Sequence, residues 1–537
     1  MSFPTPPSSL QGAAVAPATP GLSRRAALGR LLAGGCALPG LGLSGPAFSS
    51  LAAMAAPQPR QGGYLRVAAA AAAITDTLDP AKQSNQTDYI RSKMFYNGLT
   101  ELDAHLNPLP ALAESFASED ALEWTFRLRR GVVFHDGRPL TPADVVYSLM
   151  RHKDPAVGSK ANAIAAQIDS VAADGPQAVK IRLKAPNADL PVLMGTFHFH
   201  IVADGTTDFR LANGTGPYRC QEFRPGVRSI AVRNPSYWKP GRPYVDTIEC
   251  VGIVDEVARV NALLSGDIDL VSAVNPRSAL RIAATPGFAF MTTQSGQYSD
   301  LVMRQDRGPG ANPDFVLAMK YLMDRELMMK VIAQGHAVIG NDQPIDPSHR
   351  FYAPGLAQRA YDPERARFHL RKAGMEGARL PVVASPAATY SVEIALVLQH
   401  AAARAGLNLE VKRMPVDGYW SNHWMKHPLS FGNINPRASA DAVFTQFYQS
   451  SSAWNATGWK NPRFDQLLVA ARSELDEDRR RALYADMQAV VHDECATGIP
   501  LFIASIDGLN SRVKGLSQIP LGGLMGYSFA ENVWLEG

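Results

Sequence analysis

The sequence predicts an α/β protein built in two lobes, and three observations carry that expectation. The chain has 537 residues, far more than one small core can serve, so more than one lobe is expected. Its composition, 46% hydrophobic and 19% charged, is that of an ordinary globular protein. Two stretches roughly a hundred residues apart each read strand, helix, strand, the unit that makes parallel sheet covered by helices.

In chain order, residues 1–55 read as an export signal. Ser23-Arg24-Arg25 precedes a stretch rich in Ala, Leu and Gly, and Ala53-Met54-Ala55 offers a small-residue cleavage site. The twin arginines point to Tat export, with Sec as the alternative. Cys36, in Leu32-Ala33-Gly34-Gly35-Cys36, offers lipid attachment as a lesser alternative, because the usual Leu three positions earlier is missing. The mature protein is then expected in the periplasm or tethered outside. No later stretch has the ~18–20 uninterrupted apolar residues that span a bilayer. The segment holds Arg24, Arg25 and Arg30 and no acid, so taking its three charges from the formal +4 leaves +1. A nearly neutral body argues against non-specific nucleic-acid binding, which needs a basic patch.

The run Phe95 to Val145 predicts a strand, a turn and a capped helix. Trp124, Phe126 and Leu128 point to one face, and Thr125, Arg127 and Arg129 to the other. Gly131 breaks the strand, and His135-Asp136-Gly137 is a tight turn in which Gly accepts positive φ. Thr141 caps the helix, Pro142 fits its first position, and Asp144 sits where a negative charge favours the N-terminal dipole.

The first strand–helix–strand unit runs from Thr247–Ile253, through a helix at 256–265 capped by Asp255 and ended by Gly266, to Ile268–Val271. The second runs from Leu380–Val383, through a helix at 391–405 ended by Gly406, to the alternating Leu407, Leu409 and Val411. Asn312-Pro313, Asp362-Pro363 and Asn461-Pro462 each place a capping side chain before a proline and predict helix starts. Leu483, Met487, Val490 and Val491 have the spacing of one buried helix face.

The wording of these segments carries more than their local physics. The run from Phe95 to Val145 closely resembles the most recognisable segment of solute-binding protein family 5, the dipeptide, oligopeptide and nickel-binding receptors of ABC importers. Gly214-Thr215-Gly216-Pro217-Tyr218, Asn234-Pro235-Ser236-Tyr237-Trp238 and the helix ending in Gly266-Asp267-Ile268-Asp269 resemble further family motifs. Asp324-Arg325-Glu326 and Tyr361-Asp362-Pro363-Glu364-Arg365-Ala366 follow in order, so the resemblance covers nearly all of the chain after residue 60.

That resemblance implies a two-lobed periplasmic-binding-protein-like fold with a hinge and an extra subdomain in lobe one. Lobe one would take residues 60–95 and 212–296, with the subdomain at 96–211 and a C-terminal return at 505–537. Lobe two would take residues 297–504. The alanine run 68–73 would belong to the first strand and its loop. The implied function is the periplasmic substrate-binding component of an ABC importer, capturing a small solute and delivering it to a membrane permease pair with separate ATPase subunits. The implied receptor is a monomer without cofactor. Short peptides lead as ligands by resemblance, with opines, glycosides and nickel chelates behind. A ligand-binding sensor or chaperone is an alternative, and a periplasmic hydrolase a lesser one.

The residues themselves weigh against an enzyme. There is no Gly-x-Ser-x-Gly elbow, and Gly214-Thr215-Gly216 lacks the Gly-Lys-Ser/Thr of a phosphate loop, so it reads as a turn. His198-Phe199-His200 would put two imidazoles on one face of a strand, and His423 and His427 would share a helix face. Neither pair has a third ligand nearby, and Trp424 stands where the zinc-protease pattern needs Glu, so no metal is expected. Outside the signal the cysteines are Cys220, Cys250 and Cys495. Cys220 and Cys250 either pair or stay buried as thiols, the latter favoured.

Peptide-binding family members commonly hold the ligand's amino group with an Asp in a segment late in lobe two. The matching stretch here is Phe431 to Asp441, in which neutral Asn433 or Asn435 replaces that Asp and Arg437 enters. Arg suits bidentate recognition of carboxylate or phosphate. Arg437 then either grips an acidic group on the ligand or pairs with Asp441, four residues on. Tyr96, Trp420, Trp454 and Trp459 are candidate apolar walls. Trp454 is favoured, because polar Asn455 flanks it. Asn85 matches a family region that meets the ligand.

Overall fold

Both strand–helix–strand units form, and each seeds a separate sheet. Thr247–Gly252 and Leu270–Val271 run parallel to Tyr64–Ala69, which lies between them. Their connecting helix, Glu256–Leu264, is capped by Asp255, whose carboxylate accepts from the Ala258 N–H at 2.7 Å. Gly266, at φ +83°, ends it. In the second unit Arg379–Ala384 pairs in parallel with Asn408–Arg413 across the helix Ser391–Arg404. These elements belong to a computed structural model that describes residues 58–537. The expected signal segment, its cleavage site and Cys36 lie outside the described residues.

The first sheet has eight strands. Seven run in the order Phe288–Tyr298, Leu501–Asn510, Leu270–Val271, Tyr64–Ala69, Thr247–Gly252, Arg228–Arg233 and Tyr218–Arg224, and Ala337–Ile339 adds to Leu501–Asn510. The second sheet has five, in the order Asn408–Arg413, Arg379–Ala384, Leu429–Phe431, Leu301–Met303 and Thr497–Gly498. The chain therefore changes sheet between Tyr298 and Leu301 and returns between Gly498 and Leu501. The return falls a few residues before the expected 505, because Leu501–Asn510 is one unbroken strand laid along Phe288–Tyr298. Asp300 and Thr497 join the two crossings: the Thr497 hydroxyl donates to Asp300 Oδ2 at 2.8 Å.

A third, antiparallel sheet orders Ala113–Ala117, Glu123–Leu128, Ala178–Leu183 and Ile168–Ala173. It has its own core, into which Trp124, Phe126 and Leu128 point as their alternation predicts. The helix Pro142–Met150 begins as expected: the Asp144 carboxylate accepts from the Thr141 N–H at 2.7 Å and from its hydroxyl at 2.8 Å. Asn312, Asp362 and Asn461 also cap the three helices they were expected to open.

The recognisable motifs hold one another. Asn97 Oδ1 accepts from the Thr215 hydroxyl and from the Trp238 indole N–H, both at 3.1 Å. His135 N–H donates to the Gly214 carbonyl at 2.8 Å, and Asn234 Nδ2 to the Gly216 carbonyl at 3.0 Å. A Cβ on Gly214 would lie 2.1 Å from the Phe95 carbonyl oxygen, and one on Gly216 2.4 Å from the Phe95 carbonyl carbon, so this close crossing requires glycine. These residues lock the subdomain onto the first sheet.

Two local expectations are corrected, and the favoured reading of the cysteines as unpaired thiols holds. Residues Phe197–Phe199 form a single 3₁₀ turn, not a strand, and the two imidazoles part. His198 Nε2 meets the Gln83 carbonyl at 3.0 Å, and His200 Nδ1 meets the Ser92 hydroxyl at 2.9 Å. The helix Tyr419–Asn422 stops before His423, so His423 and His427 share no helix face, although their rings stack with Nδ1 and Nε2 3.2 Å apart. Among the described residues no third His, Cys, Asp or Glu joins either pair. Cys220 and Cys250 are free thiols, because the strand Arg228–Arg233 runs between theirs.

Candidate functional site

The segment between Phe431 and the helix Ala440–Phe447 is fixed at both ends. Ile434 exchanges backbone hydrogen bonds with Tyr298 at the first sheet crossing, at 2.9 and 3.1 Å. Ser439 caps the helix, accepting from the Ala442 N–H at 3.1 Å. The intervening residues, Asn435 to Ala438, form one wall of a cavity of about 420 Å³. The opposite wall comes from lobe one. There the helix Gln86–Phe95 starts at Asn85, whose side chain accepts from the Thr87 and Asp88 N–H groups at 3.0 and 3.1 Å. Tyr89 on that helix stacks on Phe197 with ring centroids 3.7 Å apart, and Tyr527 meets both rings edge-on. The cavity is thus a cleft between lobes with an aromatic side and a polar side.

Arg437 brings a guanidinium to it. Its Nε donates to Gln446 Oε1 at 3.1 Å and its Nη1 to the Asn435 carbonyl at 3.1 Å. Burial pulls the pKa of the guanidinium below its ordinary value. No salt bridge reaches it among the described residues, and no Asp or Glu lines the cleft; Lys160 and His198 are the other basic groups there. The guanidinium is half-buried and faces the cavity without a counter-charge among the described residues, an arrangement that suits an anionic group.

The cleft brings Asn85, Asn435, Arg437 and Trp454 together. Asp441 is elsewhere. It is buried, and its Oδ1 accepts from Arg472 Nε at 3.0 Å. The i,i+4 spacing from Arg437 does not bring the pair together, because Arg437 lies outside the helix, before its cap Ser439. Asn433 stands behind the cleft wall and accepts from the Ser299 hydroxyl at 3.2 Å and the Thr389 N–H at 3.3 Å. Tyr96 is core in lobe one, and Trp459 is core against Phe464. Trp420 is exposed and away from the cleft.

A second cavity, of about 470 Å³, includes Lys93, Tyr96, Glu101, His200, Lys239 and Glu531 in its lining. Its lining comes from residues 93–111, 200, 239–242 and 517–532, with none from 297–504.

A family model described as bacterial extracellular solute-binding proteins, family 5 middle, matches residues 107–456, well over half of the chain. The chain belongs to that family. It is 25% identical over 455 residues to the glutathione-binding protein GsiB of Escherichia coli K12, covering 81% of this chain and 88% of that one. The fold matches the periplasmic binding protein DppA of Helicobacter pylori in complex with the peptide STSA, with a TM-score of 0.74, 23% identity, and coverage of 89% and 99%. It also matches the binding protein AgaA of A. tumefaciens R10 in complex with agropinic acid, with a TM-score of 0.73, 22% identity, and coverage of 88% and 99%.

Within this family-5 cleft, sequence reasoning passed over Tyr89, Phe197, Gln446 and Tyr527. Tyr89 sits in a mostly polar helix with no sharp apolar face, and Tyr527 has a left-handed backbone at φ +70° that no pattern announces. His198 had a signal, but one read for metal.

Proposed function

We propose that this chain is the periplasmic receptor of an ABC importer, which closes its two lobes on a small acid-bearing solute held by Arg437. It hands the solute unaltered to a permease pair driven by separate ATPase subunits, and acts as an exported monomer, Tat-directed, without catalytic turnover. One observation carries the choice of ligand: Arg437 faces a cleft lined by no carboxylate. A free peptide ammonium would find no counter-charge there, whereas a carboxylate would complete the guanidinium's bonding. Glutathione, a peptide and agropinic acid, which the relatives bind, all carry a carboxylate. The cavity falls within the range of small-molecule sites, ~300–1,000 Å³, and the stack of Tyr89 and Phe197 suits a flat apolar part of the solute.

The solute is found by mass spectrometry of what co-purifies with the natively exported protein. Calorimetry with that compound then tests the anchor. Arg437→Ala should weaken binding roughly 10–100-fold, the loss of a charge-assisted hydrogen bond, while Arg437→Lys recovers part of it. Unchanged affinity in Arg437→Ala overturns the assignment.

A further inference from the structure

We propose that Asp189 is a latch between the lobes and sets how readily the cleft closes. Asp189 precedes the short helix Leu190–Leu193, and Leu190 and Met194 are seated in the core of the antiparallel sheet, on the lobe-one side. Its carboxylate is nevertheless bonded to lobe two. Oδ1 accepts from Arg480 Nη2 at 2.7 Å and from Arg350 Nη2 at 3.1 Å, and Oδ2 accepts from the Ser439 hydroxyl at 2.5 Å. Beside it the Ala188 N–H donates to the Arg472 carbonyl at 2.8 Å. Asp189 is 0% exposed and Arg480 3%. Burial alone would raise the pKa of the carboxyl, but Arg480, then Arg350, then the Ser439 hydroxyl outweigh it and hold it at about 2.

This network exists only while the lobes touch. Parting them removes one carboxylate from two arginines at once, and a buried pair that loses one partner leaves an uncompensated charge behind. The network is also tied to the cleft. Ser439 lines the cavity, caps the next helix and stands two residues after Arg437. A solute that orders the 435–439 segment therefore also presents Ser439 to Asp189. Solute and latch favour the same closed state, so each strengthens the other. The inference rests on the closing motion proposed above, but its test needs no solute.

The test is small-angle scattering of the ligand-free exported protein. Ligand-free wild type, exchanging between open and closed forms, should give a radius of gyration only a little above that of a compact chain of this size, roughly 23 Å. Asp189→Asn should lower the closed-to-open ratio by about a hundred-fold or more and give a larger radius, with the far-ultraviolet dichroism unchanged. Arg437→Ala should leave the ligand-free radius as it is. If Asp189→Asn does not fold, Arg350→Gln removes one arginine, keeps Arg480 on Asp189, and should open the protein in part. A larger radius in either variant supports the latch. Identical ligand-free profiles for wild type and the folded variants overturn it and leave the role of Arg437 standing. Failure to find any retained solute would count against the receptor reading alone, because the ligand-free comparison does not depend on it.

Discussion

Arg437 and Arg480 stand on the same lobe, and only one of them is neutralised. Arg480 lies in the seam, 3% exposed, with the Asp189 carboxylate 2.7 Å away. Arg437 lies in the cleft, where among the described residues its hydrogen bonds go to the neutral oxygens of Gln446, Asn435 and Pro436 and its guanidinium lies 5.7 Å from the centre of the Phe447 ring. A guanidinium costs several kcal/mol to desolvate unless a negative charge joins it. The seam satisfies that requirement within the chain. The cleft leaves it open, and that difference is the ground on which a binding role is proposed for Arg437 and a structural one for Arg480.

The contrast is broken most strongly at the seam. Arg480→Met removes the nearer partner of Asp189 and should destabilise the protein by about 3 kcal/mol or more, measured by urea unfolding. Arg437→Ala should change stability by less than ~0.5 kcal/mol in the same assay. Comparable losses in both variants would abolish the distinction.

A second comparison sets Asp189 against Asp300. Both are buried, but among the described residues the Asp300 carboxylate has the Thr497 hydroxyl as partner and no cation, and burial, partly opposed by that hydrogen bond, raises its pKa to about 6. From the ordinary carboxylate range up to about 6 the native state keeps a proton that the unfolded chain releases. Stability is therefore full below that window and falls as pH rises through it. Asp300→Asn should remove the fall and raise stability, read as melting temperature, at pH 8 more than at pH 5, the excess being about 1.4 kcal/mol. Equal shifts at both pH values would show that Asp300 does not titrate there. The smallest effect is expected from Trp454, 49% exposed at the cleft and tilted against Phe447. Trp454→Ala should weaken solute binding by about 1 kcal/mol, read by calorimetry, with no change in the melting temperature.

Much of the scaffold was legible beforehand. Asp255, Asn312, Asp362 and Asn461 act through bonds to N–H groups two or three residues away, so sequence spacing alone places them. The parallel units could be read because a strand, a capped helix and a strand have few ways to pack. The site was legible only in part. Asn435, Arg437 and Trp454 reach the cleft, but Asp441 turns to Arg472, since the helix begins after Arg437 and the four-residue spacing carries no helical meaning there. Tyr96 and Trp459 show that a large aromatic beside polar sequence is as ready to fill a core.

By itself the sequence determined the local elements, the two α/β lobes and the family, because caps, alternation and motif wording act over short separations. Only the tertiary structure decided which charges meet. Asp189 finds Arg480 across nearly three hundred positions, and Arg437 faces an open cleft instead of the acid four residues on. Electrostatic partners are chosen by distance and burial in space, and neither quantity is written in the spacing of residues along the chain.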